Sequence, residues 1–196
     1  MSKHEKEGNS LHPLQKQIVL HLSKSGPQTI NKTVKNIKHS YKPSWTAFTS
    51  LEEKGLLTKV RTYAYHGRQF PEFWLTDIGI LTALVEGASP IDLLTQSKEV
   101  YPNSQMLQYF LEIIPNFNLD IVKIALTSLK NKGKLDPVDL GTIFFTQMDT
   151  DTTLDKFANA LEIMKKYPKE HKRFKEQLTL IRRNLNKLSK IINKEP

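Results

Sequence analysis

The sequence contains no cysteine. Disulfide bonds, thiolate metal sites and cysteine nucleophiles are therefore excluded. It also contains no apolar run near the ~18 residues that a membrane-spanning helix needs, so no membrane partner is expected. Residues 1–10 are polar and charged and lack the apolar segment of a signal peptide, so we predict that they form a disordered tail. A cytoplasmic location follows most simply.

Residue patterns that support catalysis are also missing. The six histidines never show the spacing of a metal site, and the sequence has neither a glycine-rich phosphate loop nor a nucleophile elbow around a serine. Residues 149–155 begin like a calcium loop, but they lack its turn glycine and its closing glutamate. Helix capping explains their carboxylates better. We predict that the protein is not an enzyme and holds no cofactor or metal.

Positive charge is concentrated at the two ends of the chain. Residues 1–88 hold 12 Lys and Arg against 7 Asp and Glu, and residues 168–196 hold 9 against 3. The middle, residues 89–167, holds 8 against 10, and the whole chain has a net charge of +9. Two basic regions of this kind suit a polyanionic partner, although a basic surface can also serve solubility alone.

Three short helices are predicted in the N-terminal part. The first spans residues 12–24, where apolar residues recur at helical spacing, and the second follows an N-cap at Thr29. The third has Pro43 in its first turn and ends at Gly55, which suits a left-handed C-cap. Its predicted buried face has the spacing i, i+3, i+4 and i+7 and comprises Ser44, Ala47, Phe48 and Leu51.

A basic β-hairpin is predicted next. Residues 57–63 are rich in β-branched and aromatic side chains, and residues 72–76 form the return strand. Residues 64–69 are predicted to be the loop between them, with Gly67 supplying a positive φ at its tip. Residues 77–86 form a fourth helix. This order of elements is that of a winged helix-turn-helix, in which the hairpin is the wing.

The end of the third helix and the return strand carry the most specific pattern. The first part is Ala47-Phe48 with Leu51-Glu52-Glu53-Lys54-Gly55-Leu56-Leu57, and the second is Phe73-Trp74-Leu75-Thr76 with Gly79. This pattern resembles winged-helix transcriptional regulators of the PadR-like and MarR-like kind, especially archaeal ones, over roughly residues 11–86. The resemblance implies a DNA-binding regulator, and PadR-like proteins dimerise through C-terminal helices.

The exposed face of the third helix is predicted to lie in the major groove. Lys42 is placed for a phosphate, and Thr46 and Thr49 could reach base edges or phosphates. Trp45 matches an aromatic residue that faces DNA in the Tyr-x-x-Leu pattern of PadR-like proteins, but it could instead roll inward against Tyr41 or the wing. This face has no Arg, Asn or Gln, which argues against strong bidentate reading of bases.

The wing supplies a second set of candidate DNA contacts. An arginine at a hairpin tip can enter the minor groove and sense its width without a base-specific bond. Tyr63 and Tyr65 lie on one face of their strand, where they could pack on Trp74 rather than on bases. The alternative is a solvated hairpin that only shields the core. The wing residues that we predict to contact DNA are Lys59, Arg61, Tyr65, His66 and Arg68.

The second half of the sequence predicts helices and no strand. One ends at Pro115, the next runs from Asn118 or Asp120 to Gly133, and two more follow before Pro168. Their apolar faces comprise Leu107, Phe110, Leu111 and Ile114; Ile121, Ile124, Ala125 and Leu129; Leu140, Ile143 and Phe144; and Leu154, Phe157, Leu161 and Met164. We therefore predict a winged-helix domain over residues 11–88, a helical domain over residues 89–167 and a basic helix over residues 168–196.

The C-terminal helix is predicted to be amphipathic, with basic outer faces. Its apolar residues follow a heptad spacing and comprise Phe174, Leu178, Ile181, Leu185, Leu188 and Ile192. Something must cover this heptad seam. The helix could pack back on the helical domain, or it could pair with the same helix of a second chain, and the resemblance favours a homodimer.

These observations predict a mainly α-helical, nucleoid-associated DNA-binding protein. The hypothesis is a homodimeric transcriptional regulator that places its third helix in the major groove of double-stranded DNA and its wing on the backbone or minor groove. One alternative is a winged-helix protein–protein interaction module. Another is an architectural protein that coats DNA without choosing a sequence.

Overall fold

The computed structural model describes residues 11–116, 119–133 and 151–192. The chain divides into two compact units, Met1–Pro102 and Asn103–Pro196. The elements of the first unit are α1 (Pro13–Ser25), α2 (Ile30–Ile37), α3 (Tyr41–Glu53), β1 (Leu57–Tyr65), β2 (Arg68–Leu75), α4 (Asp77–Val85) and α5 (Pro90–Val100). Those of the second unit are α6 (Gln105–Ile113), a 3-10 turn (Ile114–Asn116), α7 (Leu119–Lys132), α8 (Asp151–Met164) and α9 (Pro168–Ile192).

The predicted winged helix-turn-helix is confirmed in the first unit. The Thr29 hydroxyl caps α2 by accepting from the backbone N–H of Lys32 at 3.3 Å. Gly55 follows α3 with φ +68°, as a left-handed C-cap requires. The buried face of α3 is the predicted one, Ser44, Ala47, Phe48 and Leu51.

The wing, formed by β1 and β2, is longer than the sequence predicts. The prediction of a loop over residues 64–69 is wrong, because only His66 and Gly67 lie between the strands. Both have positive φ, +47° and +74°. A two-residue turn of this kind twists in the same sense as the strands, so pairing continues up to the turn. The positive φ expected at Gly67 is confirmed.

The base of the wing is fixed by Trp74, which is fully buried. Its indole N–H donates to the carbonyl of Leu22 in α1 at 3.0 Å, and its ring lies 5.4 Å from that of Tyr101. The Tyr101 hydroxyl donates in turn to the carbonyl of Leu75 at 2.8 Å. Burial raises the pKa of Tyr101 to about 12, so this hydroxyl remains a donor even above the ordinary tyrosine pKa of about 10.

Two further contacts complete the first unit. The backbone of Gln28, between α1 and α2, pairs antiparallel with Phe73 of β2. Helix α5 begins at an N-cap, Ser89, and packs against α1. The domain limit at residue 88 stays a prediction.

The second unit is helical in its described part. Tyr109 of α6 is buried, and its hydroxyl donates to the carbonyl of Ala160 in α8 at 3.2 Å. In α7, Ile121, Ala125 and Leu129 are buried as predicted. The helix expected through Leu140, Ile143 and Phe144 and the side chains of Leu154 and Phe157 lie outside the described residues.

One predicted core position in α7 is wrong. Ile124 is 43% exposed, whereas Val122 is fully buried. Each residue turns the helix by about 100°, so the buried positions 121, 122, 125 and 129 centre the apolar face away from residue 124.

Helix α9 begins at Pro168, as expected, and packs against α6 and α8. Glu170 and Phe174 are buried in its first turns, but Leu178, one turn further on, is 41% exposed. The first turns therefore pack back within the chain. The side chains of Ile181, Leu185, Leu188 and Ile192 are outside the described set. None of the helices in the described ranges, including this long one, has the length and apolar character needed to cross a membrane.

We predict that Gly79→Ala strongly destabilises the first unit. A Cβ at this position of α4 would lie 2.0 Å from the carbonyl oxygen of Leu56, a backbone atom that cannot rotate away. In an open helix the same change gains about 1 kcal/mol, but here we expect a loss of about 3 kcal/mol or more. Thermal unfolding measures the effect.

Thr82→Ala in the same helix is the control for that substitution. It removes a hydroxyl that donates to the carbonyl of Ile78 at 2.8 Å, and it should cost about 1 kcal/mol or less. Equal melting temperatures for the Gly79→Ala variant and the wild type would contradict the packing described here.

Candidate nucleic-acid interface

The outward face of α3 presents two aromatic rings. Trp45 is 52% exposed and Tyr41 is 48% exposed, and their ring centroids are 6.1 Å apart. Trp45 therefore does not enter the core, although it does contact Tyr41. Lys42, Thr46 and Thr49 are exposed on the same helix. The four α3 residues predicted from the sequence thus remain accessible to a ligand.

The two threonines of this face are already hydrogen-bonded to their own helix. The Thr46 hydroxyl donates to the carbonyl of Lys42, and the Thr49 hydroxyl donates to the carbonyl of Trp45, each at 3.2 Å. The lone pairs of each oxygen stay available, so these hydroxyls can accept from a base amino group. A bond to a phosphate would need a donor, and the internal bond would have to break first.

The stretch of sequence around the α2–α3 turn is basic and contains no acidic residue. No Asp or Glu occurs between Gly8 and Leu51, whereas this stretch contains six lysines. Four of them lie on α2, the turn and the start of α3, are exposed, and form no ion pair with any described residue. They are Lys32, Lys35, Lys38 and Lys42. The first three are not among the residues predicted from the sequence, although the long stretch without carboxylates could have indicated them.

A β-bulge at Val60 decides which way the wing side chains point. Lys59 pairs with Phe73 but Arg61 pairs with Glu72, so Val60 is an extra residue in β1. Lys59 lies on the α3 side of the hairpin, 3.4 Å from the carboxylate of Glu52 in α3. Beyond the bulge the alternation reverses, because one extra residue moves the following side chains to the other face.

Arg61 is therefore directed towards α5 rather than towards the tip of the wing. Its guanidinium contacts the carboxylate of Glu72 at 2.5 Å and that of Glu99 in α5 at 2.9 Å. The Glu72 side chain is only 12% exposed. Hydrogen bonds to these two carboxylates raise the pKa of Arg61, and the bond to Glu72 has the larger effect. The charge of Arg61 is therefore largely neutralised by these carboxylates. Its ion pair with Glu99 connects the wing to α5.

The tip of the wing, residues 65–68, carries aromatic rings and a free cation. Tyr63 and Tyr65 are 49% and 56% exposed and nearly parallel, with centroids 6.3 Å apart. The His66 ring packs against the edge of Tyr65 at 4.1 Å. Arg68 is exposed and forms no ion pair within the described ranges.

The alternative in which Tyr63 and Tyr65 pack on Trp74 is wrong. Trp74 instead contacts Tyr101 at the base of the hairpin, where the indole is sealed from solvent. The structure thus brings Tyr65, His66 and Arg68 together at the tip, whereas Lys59 and Arg61 are held in ion pairs further down.

This surface can bind an anion or an aromatic base. In the part of the chain that the structure describes, no three His, Asp or Glu side chains lie close enough to hold a metal ion. The exposed groups of α3 and the tip are cations, hydroxyl acceptors and aromatic faces. Such groups bind phosphates and base edges.

Comparisons with known proteins add little to these observations. No family model and no curated protein matches the sequence. Among solved structures, the chain is similar to the Lactococcus lactis protein ZitR, whose structure was determined in complex with DNA. The identity is 17%, the match covers 68% of this chain and 82% of that one, and the TM-score is 0.32. So weak a likeness supports no argument about function, and the fold assignment rests on the elements described above.

We predict that Arg61→Ala destabilises the wing while Arg68→Ala does not. Removing Arg61 leaves the carboxylate of Glu72 almost buried and without its cation, at a cost of about 1–3 kcal/mol. Arg68 is exposed and unpaired among the described residues, so its loss should change stability by less than about 0.5 kcal/mol. Thermal unfolding and amide exchange of the β1–β2 ladder measure the difference.

Glu99→Ala provides the internal comparison. It removes the more exposed of the two partners of Arg61, and exposed ion pairs contribute at most about 1 kcal/mol. The ion-pair arrangement would be refuted if Arg61→Ala and Arg68→Ala gave the same stability and the same exchange rates.

Proposed function

We propose that the protein is a transcriptional regulator that binds double-stranded DNA through α3 and the tip of the wing. The observation that carries this proposal is the stretch from Gly8 to Leu51, which contains no carboxylate and whose exposed lysines lie around the accessible face of α3. A polyanion is the partner that such a surface attracts, and the major groove of B-DNA admits a helix.

Each group on α3 has a role in this proposal. Lys42 and the lysines of the α2–α3 turn bind phosphates and fix the position of the helix in the groove. Thr46 and Thr49 accept from base amino groups or contact the methyl group of thymine. Trp45 and Tyr41 cover the sugar edges with apolar surface. The residues that can read bases are few, so shape must contribute to specificity.

The wing contacts the neighbouring backbone or minor groove. Arg68 is the residue suited to a narrow minor groove, since no residue that the structure describes is ion-paired with it and it lies beside the turn. Tyr65 and His66 flank it on the same tip. Lys59 and Arg61 belong to the same surface by sequence, but their ion pairs make them positioning residues that hold the wing against α3 and α5.

We also propose that the protein acts as a homodimer through α9. Leu178 is on the heptad seam and is 41% exposed in the single chain. A second copy of the same helix would cover it. In such a dimer the two α3 helices would reach half-sites about one helical turn apart. The seam is shorter than three heptads, so pairing of α9 alone would be weak and other surfaces must contribute.

Two alternatives differ from this proposal in measurable ways. An architectural protein would bind any duplex with nearly the same affinity, whereas a regulator should prefer its own site by a factor of ~10³ or more. A protein-interaction module would bind neither a specific DNA site nor a random duplex. The basic character of α3 and the wing argues against this second alternative.

We predict that Lys42→Ala/Arg68→Ala weakens binding to labelled DNA from the region upstream of the gene. Two lost phosphate contacts should reduce the slope of log K against log salt by about 2. Trp45→Ala should lower the affinity for the chosen site more than the affinity for scrambled DNA, because the ring lies on the recognition helix. Fluorescence anisotropy at several salt concentrations gives both quantities.

The matched control is Lys16→Ala/Lys123→Ala. These two exposed lysines are paired with Glu86 at 2.8 Å and Asp120 at 3.0 Å, so removing them should leave the slope nearly unchanged. Equal binding of both DNAs would support the architectural protein. Absence of binding to either DNA would support the protein-interaction module and would overturn the proposal.

We predict that Leu178→Glu dissociates the dimer, whereas Leu180→Glu does not. Leu180 is even more exposed, at 58%, but it lies about 200° around the helix from Leu178 and therefore off the seam. Sedimentation velocity over a range of concentrations measures the oligomeric state. A wild-type protein that is monomeric at every concentration, or equal effects of the two substitutions, would exclude pairing through this face.

A further inference from the structure

Helix α9 carries a row of cations on the side that faces away from its own unit. Glu170 and Phe174 mark the buried side of the helix. At about 100° per residue, the positions that face away from them include 172, 175, 176, 179, 183 and 186, and position 182 lies at the edge of this side, one turn from Leu178. Besides Glu176, this side and its edge carry four exposed basic residues, namely Lys172, Lys175, Arg182 and Arg183. We call these four residues the α9 row.

The α9 row differs from three basic residues near it, each of which is ion-paired with a carboxylate. Lys165, Lys166 and Arg173, which lie close in sequence, are each paired with a carboxylate of their own unit, from Glu162, Glu112 and Glu170 respectively. None of the four row residues forms an ion pair with any residue that the structure describes. Three cations near the row are thus neutralised within the unit, whereas the row residues are not ion-paired within the described ranges, although Glu176 lies on the same side of the helix.

An open cavity lies at the start of the row and is lined by two row residues, together with His171 and the ion-paired Lys165. Its volume is about 400 Å³, and it lies where α8 ends and α9 begins. Three lysines and one histidine line it against a single carboxylate, that of Glu176. The basic residues of the cavity are Lys165, His171, Lys172 and Lys175.

We propose that the α9 row and this cavity form a second nucleic-acid-binding surface, which holds the sugar–phosphate backbone without reading bases. From residue 172 to residue 183 the helix rises about 16 Å at 1.5 Å per residue. This length matches several successive phosphates along one strand. The row offers cations along the helix, with the hydroxyl of Thr179 between them, and cations at this spacing suit the phosphates of a backbone.

Nucleic acid fits this surface better than an anionic membrane does. A helix that lies in a membrane interface must turn an apolar face into the lipid. In the first turns of α9 that face, with Phe174, is buried against α6 and α8. The row beside it therefore approaches a polyanion as an exposed charged ridge with no insertion.

The proposal does not depend on the function proposed for α3 and the wing, because it concerns residues of the other unit. If both hold, the row adds affinity that is independent of sequence and decreases steeply with salt, while α3 and the tip supply the preference for one site.

The test uses the whole chain and a fluorescently labelled DNA duplex of random sequence. Binding is measured by anisotropy titrations at several salt concentrations. Two double variants are compared, Lys172→Gln/Lys175→Gln and Arg182→Gln/Arg183→Gln. Glutamine is a good helix former, and all four positions are exposed, so α9 should persist. We expect each double variant to reduce the slope of log K against log salt by about 2, which corresponds to two lost phosphate contacts.

The matched control is Lys123→Gln/Lys166→Gln, which removes two charges from the same unit that are paired with Asp120 and Glu112. It should leave the slope nearly unchanged. Equal slopes for the control and for both row variants would overturn the proposal. So would row variants that lose binding to vesicles containing phosphatidylserine but keep their DNA binding.

The same experiment separates this inference from the function proposed above. Row variants should lower the affinities for upstream and scrambled DNA by the same factor, whereas Lys42→Ala/Arg68→Ala and Trp45→Ala act on α3 and the tip. If the protein showed no preference for upstream DNA, the regulator proposal would fail, yet a reduced slope in the row variants would still support the second surface.

Discussion

The burial of Trp74 fixes the position of the wing relative to the helices. Its indole N–H donates to the carbonyl of Leu22, and its ring is closed off by Tyr101. The hydrogen bond offsets the loss of hydration of the N–H, so the burial of the large apolar ring is favourable. The neighbouring residue, Phe73, packs at 5.5 Å against Phe48 of α3. The same two residues of β2 therefore position both the wing and the helix that is proposed to enter the major groove.

Because of the bulge at Val60, the wing side chains before and after it face different helices. Below it, Lys59 faces α3 and its ion pair with Glu52 closes that side. Above it, Arg61 faces α5 and satisfies the nearly buried carboxylate of Glu72. The base of the hairpin is held by two ion pairs on opposite faces, and the tip projects beyond them. A rigid base with a projecting tip is what a contact with a neighbouring groove requires.

Ion pairing also sorts the cations of a protein with net charge +9. Some cations, such as Lys16 beside Glu86 and Lys166 beside Glu112, are ion-paired within the fold. Other cations are exposed and lack an acidic partner among the described residues, and they occur around α3, at Arg68 and along the α9 row. A binding surface therefore follows from the placement of the few carboxylates at least as much as from that of the many lysines.

The sequence by itself determined the order of the N-terminal helices and the hairpin, because caps such as Thr29 and Gly55 and the helical spacing that buries Phe48 are local signals, but α5 was not among the predicted helices. It also identified the exposed face of α3. Only the tertiary structure decided that Arg61 is neutralised, since Glu99 lies 38 residues away in the sequence. The same holds for the bulge at Val60, which depends on the pairing partner. Contacts between residues far apart in the chain leave no periodic pattern in either segment, so they emerge only when the elements pack.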